Sequence, residues 1–490
     1  MSPEVIVQAV AFSGGLFAMR FAFRLSLMMS VTLAFPFGLG LGAYGAMLAS
    51  TLVPALPEYL AAALTLAACN LVRFFPDRPS LPDSSSRALL IPAILVFIFL
   101  AVPLVLDKAG VAQYIAFTSD SFSNYEGLGR VLGLKDGLTG DPTFVLRIIF
   151  EPLLPFLHAI GFSAGINHFV LIYPVLAVLT PVVTFLFIND LSIRWHWSVP
   201  VLLLVTVLLF ASTYYVLMSL HVLPNVIAGL FFLVTCFLFM YHQRRRAKVG
   251  DGLSAEAKSI LLVMAIFLAL SATVRTEFKI LNLVLIFLLS VDRAVLKKVL
   301  IVYIPLAYYW DAARLLLFQK IIFNSEQAAF LTNVITLNAA SLASIFLIYV
   351  SAPIVWATFT LVRLVQLTFG LSVLALLLTW LIAPESLTGV ISNLTGQLLT
   401  QDMWGLTWFV VCPAILMALY LDNDDARRHS ISLILMVLLM FRVLAYVALP
   451  GLLSDDSFMS SGNRTMLHFL PLAIFYPLSV ISGLVGAHHR

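Results

Sequence analysis

The sequence predicts an all-α polytopic membrane protein that crosses the bilayer with roughly 14 to 15 transmembrane helices. The 490-residue chain has a mean hydropathy of +1.04, and only 11% of its residues are charged. Soluble domains carry about 25% charged residues, so this composition excludes an ordinary soluble protein. Apolar runs of about 18 residues recur along the chain, and they predict helices because they are continuous rather than alternating.

Basic clusters between the apolar runs predict which loops face the cytoplasm. Arg73, Arg78 and Arg87 bracket one such loop, and the clusters at 242–248 and 292–298 mark two more. Under the positive-inside rule these segments are cytoplasmic, and the alternation of spans around them also places the C-terminus in the cytoplasm. The predicted spans are 5–19, 26–48, 52–72, 88–106, 165–188, 198–218, 222–241, 259–274, 278–291, 299–310, 335–362, 366–383, 405–420, 431–450 and 465–486.

We predict a single integral membrane domain over 1–490, with three parts along the chain. N-terminal spans and a cytoplasmic loop occupy 1–87, a core occupies 88–300, and C-terminal spans occupy 301–490. The loops predicted on the outer face are 107–164, 311–334, 385–404 and 451–464.

The first outer loop concentrates polar side chains in an otherwise apolar chain. Asp120 lies between two serines, which is a typical helix N-cap sequence, and a helix is predicted from 122 to about 134. Glu126 and Arg130 stand at i and i+4 on this helix, so we expect an exposed ion pair between them. The helix should lie on the outer membrane surface, with its apolar face formed by Phe122, Tyr125, Leu128 and Leu132.

A turn and a second apolar piece complete this loop. Residues 135–142 contain glycines and end at Pro142, which predicts a turn after the surface helix. The piece that follows contains Pro152 and Pro155 and is too short to span a bilayer. We therefore predict a re-entrant or interfacial helix there.

This ordered set of features resembles the first outer loop of the GT-C superfamily, the polytopic glycosyltransferases that use lipid-phosphate-linked sugars. The resemblance rests on an acidic residue after an outward span, a nearby aromatic residue, a surface helix, a turn and a Pro-x-x-Pro piece. Residues 268–290 resemble a second family segment, in which an outward helix ends in Arg275-Thr276-Glu277. Arg464 before the final span is a third, weaker match. Residues 1–75 lie outside the resemblance.

The resemblance implies a glycosyltransferase of the bacterial inner membrane with its active site on the outer face. It would move a sugar from a polyprenyl-phosphate donor to a glycan, lipid or protein acceptor. Asp120 would take the proton from the acceptor hydroxyl. Arg275, Lys279 and Arg464 would stabilise the leaving phosphate. Contacts to the sugar or acceptor are expected from Tyr125, Glu126, Asp141, Glu151, Glu277 and His221.

No cofactor is expected beyond this lipid substrate, and membrane lipids are the other expected partners. No spacing of His, Cys and Asp predicts a metal site, although a single acidic residue at Asp120 leaves metal dependence open. The basic residues form short clusters rather than a stripe, so no nucleic-acid partner is expected. Cys69, Cys236 and Cys412 lie in apolar runs and are expected to be packing residues.

Two other functions stay open. An O-antigen-type polymerase or ligase is also polytopic, but it relies on outer loops rich in Arg and His. A lipid-linked glycan flippase or transporter would place charged residues at mid-membrane depth. The charges of this chain gather instead at the predicted outer ends of spans.

Overall fold

The structure is a computed structural model, and most of the residues that it describes are helical. Among the described residues there is no β-strand, which agrees with the predicted all-α class. The described residues are 2–53, 55–69, 90–115, 125–134, 152–192, 198–249, 255–318, 325–358, 361–399, 404–422 and 466–487.

The α-helices are numbered in chain order. They are α1 (Pro3–Phe17, continued by a π-helical turn at Ala18–Ala22), α2 (Leu27–Leu52), α3 (Glu58–Ala68), α4 (Leu90–Lys108), α5 (Gly127–Leu134), α6 (Leu153–Ser163), α7 (Ile172–Ser192), α8 (Ser198–Phe210), α9 (Thr213–Ser219), α10 (Asn225–Val249), α11 (Ala255–Val274), α12 (Glu277–Leu289), α13 (Arg293–Phe318), α14 (Ser325–Thr358), α15 (Leu361–Ile382), α16 (Pro384–Leu399), α17 (Thr407–Leu421) and α18 (Leu470–Ala487).

Five stretches of described helix are long and apolar enough to cross a membrane. Helices α8 and α9 form a sixth if they are one span, broken by a bend of 82°. Their length and composition are those expected of an all-α membrane protein. The total of roughly 14 to 15 spans expected from hydropathy stays a prediction. The five stretches are Pro3–Ala22, Leu27–Leu52, Asn225–Gln243, Glu256–Val274 and Ile335–Ile354.

Two predicted outer loops are largely helical instead. Most of the predicted loop 385–404 is α16, which has Pro384 at its first position and Glu385 in its first turn. Both residues favour a helix start, because proline needs no N–H donor there and the carboxylate complements the helix dipole. The predicted loop 311–334 is also interrupted, since α13 continues to Phe318 and α14 begins at Ser325. Hydropathy identified the polar residues of these two segments, but it did not identify where the helices within them begin and end.

The chain packs as two compact units, each assembled from separate stretches. The first unit comprises Met1–Leu179, Ser219–Lys279 and Lys298–Ser344. The second comprises Thr180–Met218, Ile280–Lys297 and Ile345–Arg490. The predicted division of the chain at residues 87 and 300 stays a prediction.

Glycines bring α1 and α2 together in the first unit. A Cβ on Gly15 would overlap the carbonyl oxygen of Ala34, and a Cβ on Gly38 would overlap that of Ala11. The two backbones therefore meet at a separation that only glycine permits. In lipid the hydrophobic effect does not drive helices together, so close backbone contact of this kind supplies much of the packing energy.

Two further glycines fit α5 against α6. A Cβ on Gly129 would lie 2.7 Å from the carbonyl oxygen of Pro155, and one on Gly133 would lie 2.6 Å from that of Ala159. Because these glycines are four residues apart, they share one face of α5 and form a small-residue groove for α6. The GLGRVLGL segment is therefore a packing element rather than only a surface helix.

The predicted apolar face of α5 is confirmed for its described members, Tyr125, Leu128 and Leu132, which are all buried. Phe122 lies outside the described residues. Helix α6 has 11 residues, which is about 16 Å of helix and well short of a bilayer core of about 30 Å. It is too short to span, as predicted.

Aromatic residues organise part of the second unit. The Trp404 side chain is buried, with ring centroids 5.0 Å from Tyr214 and 5.8 Å from Trp408. The Thr407 hydroxyl donates to the carbonyl oxygen of Leu208 at 3.2 Å. These contacts attach the start of α17 to the ends of α8 and α9 by both packing and hydrogen bonding.

The Gly38 contact can be tested by adding a side chain. We expect Gly38→Leu to destabilise the protein by about 1–3 kcal/mol, because the α1 backbone blocks the new Cβ. The measurement is the melting temperature of the protein in detergent. Gly370→Leu is the matched control, since nothing lies within 4 Å of a Cβ there. Equal melting temperatures for the two variants would contradict the close contact.

Candidate functional site

The described structure includes six of the ten predicted site residues. Arg275, Glu277, Lys279, Tyr125, Glu126 and His221 are placed, whereas Asp120, Asp141, Glu151 and Arg464 lie outside the described residues. Tyr125 and His221 aside, the placed residues belong to two polar groupings in the first unit. One lies where α11 meets α12, and the other lies beside α5.

An arginine–glutamate pair occupies the α11–α12 connection. Helix α11 ends at Val274 and α12 begins at Glu277, so Arg275 lies between two apolar helices. Its Nε donates to Glu277 Oε2 at 3.1 Å and its Nη2 donates to Oε1 at 2.5 Å. This two-bond geometry fixes the plane of the guanidinium. Glu277 therefore orients the cation that the sequence analysis predicted as a phosphate ligand.

Lys279 lies two residues after Glu277 on α12, and it is fully buried. Its Nζ donates to Asp311 Oδ2 at 2.6 Å, and Arg314 Nη2 donates to Asp311 Oδ1 at 3.0 Å. The exposed fractions of the Lys279, Asp311 and Arg314 side chains are 0%, 11% and 3%. One carboxylate thus bridges two cations, one on α12 and one on α13.

Two uncharged residues extend this arrangement, which we call the Lys279 network. The Tyr308 ring centroid lies 5.5 Å from Lys279 Nζ, within range of a cation–π interaction. The Tyr308 hydroxyl and Ser341 Oγ lie 2.6 Å apart, and Ser341 Oγ donates to the Lys279 carbonyl oxygen at 3.2 Å. The network consists of Lys279, Tyr308, Asp311, Arg314 and Ser341, so it joins α12, α13 and α14.

Sequence reasoning missed most of this network. Asp311 and Arg314 were assigned to an outer loop, although their i,i+3 spacing on a helix was an available signal for an ion pair. Lys279 was expected to bind the donor phosphate directly. In the structure the Lys279 ammonium donates its hydrogen bond to Asp311. Contact between Lys279 and a phosphate stays a prediction.

The second grouping is a histidine–glutamate pair beside α5. His168 Nδ1 and Glu126 Oε1 lie 2.6 Å apart. The Glu126 side chain is 5% exposed and the His168 side chain is 63% exposed. The predicted ion pair of Glu126 with Arg130 is therefore wrong. Glu126 lies in a π-helical step before α5 begins at Gly127, so the regular i,i+4 geometry does not apply to it.

The loop between α6 and α7 carries His168 and is held at both ends. Gly165 has a φ of +80°, a left-handed conformation that glycine adopts without strain. Phe169 is fully buried, and it packs so closely on Gly161 that no Cβ would fit there. These two residues fix the path of the backbone on both sides of His168.

A carboxylate from α1 holds the far end of the same loop. Glu4 is buried and accepts a hydrogen bond from the backbone N–H of Leu171, just before α7 begins. A side-chain oxygen at this place satisfies a backbone N–H group at the start of α7. Glu4 is 167 residues away from its partner in sequence, so no local pattern identified it.

A second histidine in this region differs from His168. His158 on α6 is fully buried, and its Nε2 lies 2.8 Å from the Tyr173 hydroxyl. Burial lowers the pKa of His158 to about 3. The ring is therefore neutral at physiological pH, and it cannot be reached by a substrate.

The remaining predicted contacts lie apart from these pairs or are covered. The Tyr125 side chain is buried. His221 is half-buried in the connection between α9 and α10, where its carbonyl oxygen accepts from Leu223 N at 2.8 Å. Their predicted sugar contacts stay predictions. Within the described parts of the chain, no three His, Cys, Asp or Glu side chains are grouped as a metal site requires.

Comparison of the chain with family models, characterised proteins and solved structures gives no match. Function must therefore be inferred from the chemistry of the site. One grouping offers oriented cations at a helix junction, and the other offers a histidine that a buried carboxylate orients. The first arrangement suits an anionic group, and the second suits proton transfer.

The Lys279 network predicts a large effect of removing one charge. Asp311→Asn removes the carboxylate that bridges the buried Lys279 and Arg314 cations, and breaking a buried pair of this kind costs about 3–5 kcal/mol. We expect a matching loss in unfolding free energy, measured by denaturant titration in mixed micelles. Lys297→Met is the control, because Lys297 is exposed. Similar stability of the two variants would show that the Lys279–Asp311 bond contributes little.

Proposed function

We propose that this protein is a glycosyltransferase that transfers a sugar from a polyprenyl-phosphate donor to the hydroxyl group of an acceptor. The acceptor is a glycan, a lipid or a protein, and the reaction takes place on the outer face of a bacterial inner membrane. The C-terminus is cytoplasmic in this proposal, and the only substrates are the lipid-linked sugar and the acceptor.

One observation carries the proposal, namely that Arg275, whose guanidinium is fixed by Glu277, directly follows a residue that lines an apolar cavity. The cavity lies inside the first unit and is lined by apolar residues, including Leu153 and Leu154 of α6 and Val274 of α11. Val274 directly precedes Arg275, whose guanidinium is fixed by Glu277. A polyprenyl phosphate has the same two-part chemistry, an apolar tail joined to an anionic head. The fixed guanidinium between two apolar helices supports a ligand of this class.

The reaction needs charge stabilisation at the phosphate. As the acceptor oxygen bonds to the sugar C1, the bond from C1 to the phosphate oxygen breaks, and its electron pair stays on the phosphate. Cations positioned at that oxygen lower the barrier. Arg275 is the described residue best suited to this role, and Arg464 is a proposed second ligand outside the described residues.

The acceptor hydroxyl must lose a proton during the same step. A positioned base supplies this function. The GT-C resemblance implies Asp120 for this role, a residue five positions before Tyr125 and outside the described residues. The surface helix that Asp120 would cap packs on α6 through Gly129 and Gly133, and α6 contributes lining to the apolar cavity. This connection supports placing the acceptor near the donor.

Arg275→Gln tests the proposed function directly. We expect it to lower the transfer rate by about 10²–10³-fold, the effect of removing one donor to a developing oxyanion. The assay uses the purified protein in liposomes, short-chain polyprenyl phosphates carrying tritiated sugars, and a delipidated cell-envelope extract as acceptor. Labelled glycosidic product and released polyprenyl phosphate are both measured. Arg293→Gln is the control, because Arg293 lies over the Tyr349 ring in the second unit.

The same assay separates the alternatives. Donor that reaches the opposite leaflet without a new glycosidic bond indicates a flippase or transporter. Consumption of preassembled lipid-linked oligosaccharides alone indicates a polymerase or ligase. An equal rate for Arg275→Gln and Arg293→Gln would remove Arg275 from the site.

A further inference from the structure

We propose that His168 is the base that accepts the proton of the acceptor hydroxyl, and that Glu126 positions it. This inference rests on the proposed function, and it assigns to His168 a role for which the sequence analysis named Asp120. The carrying observation is the short contact between a nearly buried carboxylate and an exposed imidazole, with 2.6 Å between Glu126 Oε1 and His168 Nδ1.

The geometry of the contact selects the reactive nitrogen. A carboxylate only accepts hydrogen bonds. The ring proton of a neutral His168 is therefore on Nδ1, and this N–H donates a hydrogen bond to Glu126 Oε1. The lone pair of the ring is then on Nε2, on the edge away from Glu126. The exposed fraction of 63% for the His168 side chain means that a substrate can approach the ring. This is the arrangement by which a carboxylate orients a histidine base in other enzymes.

The surrounding structure holds the pair in place before any substrate binds. His168 lies in a loop fixed by the left-handed Gly165, by the buried Phe169 and by the hydrogen bond from Leu171 N to Glu4. Glu126 lies at the start of the helix that packs into α6. A base held within about 0.5 Å of its working position needs this kind of support from its neighbours.

Other titratable groups of the same region fit the role less well. His158 is fully buried and bonded to Tyr173. Glu4 is buried and bonded to backbone. Glu126 is buried under His168. Of these neighbouring groups, His168 alone combines exposure with an orienting partner.

The step balances as a single displacement. The acceptor oxygen forms a bond to the sugar C1 while its proton moves to His168 Nε2. The bond from C1 to the phosphate oxygen breaks, and the electron pair leaves with the polyprenyl phosphate. The imidazolium is stabilised by Glu126 until the proton passes to water or to the departing phosphate.

The test is loss and chemical rescue of transfer. In the tritiated-sugar assay, His168→Ala is expected to lower the turnover rate by about 10²–10⁴-fold, the usual contribution of a general base. Imidazole added to the assay should restore part of that rate, because it can occupy the vacated space and accept the proton. A residue with only a structural role gives no such rescue. His489→Ala, in the predicted cytoplasmic tail, is the control.

Glu126→Gln tests the positioning role. Glutamine keeps the size of the side chain and removes its charge, so kcat should fall while KM for the donor stays near the wild-type value. The effect should be smaller than that of His168→Ala, and added imidazole should not reverse it, because the native ring still occupies the site. A changed donor KM with unchanged kcat would overturn this role for Glu126.

The outcomes separate this inference from the proposed function. If the wild-type protein forms no glycosidic product, the proposed function fails and the base assignment fails with it. If the wild type and His168→Ala transfer equally while Asp120→Asn is inactive, the proposed function holds and the base is Asp120. Loss of activity in His168→Ala without imidazole rescue, together with a lower melting temperature, assigns His168 a structural role and overturns the proposal.

Discussion

The bond between Lys279 and Asp311 is the interaction on which the buried charges between α12 and α13 depend. Charged groups are costly in an apolar environment, and they persist there only when each has a partner. Asp311 meets this requirement for Lys279 and Arg314 together. Helices α12 and α13 therefore cannot separate without exposing charge to hydrocarbon. Glu277, which orients Arg275, is the first residue of α12 and lies two residues before Lys279.

The sequence was sufficient for the class of the protein and for local patterns. Hydropathy summed over a window identified an all-α membrane protein, and the helical spacing of apolar residues identified the buried face of α5, both without knowledge of contacts. Hydropathy did not locate the ends of helices. Helix α16, for example, occupies most of the segment predicted as the loop 385–404. Polar residues such as Glu385 lower the hydropathy of a segment but also favour the start of a helix.

The candidate site was predictable only in part, for a related reason. Arg275 and Glu277 are two residues apart between apolar runs, which marked both as candidate site residues, while their bond to each other appears only in the structure. Glu126 and His168 are 42 residues apart, and the nearer partner Arg130 offered a regular helical spacing that the structure does not use. A partner supplied by a distant loop leaves no periodic signal in a single sequence. The same holds for Glu4 and Leu171.

The bond from Leu171 N to the Glu4 carboxylate has a consequence for the order of assembly. A membrane protein is synthesised from its N-terminus, so α1 is made before α7. Glu4 therefore reaches the bilayer without the N–H group that it finally binds, and the loop carrying His168 closes only when residue 171 arrives. Helix α1 is thus made before the loop whose far end its glutamate holds.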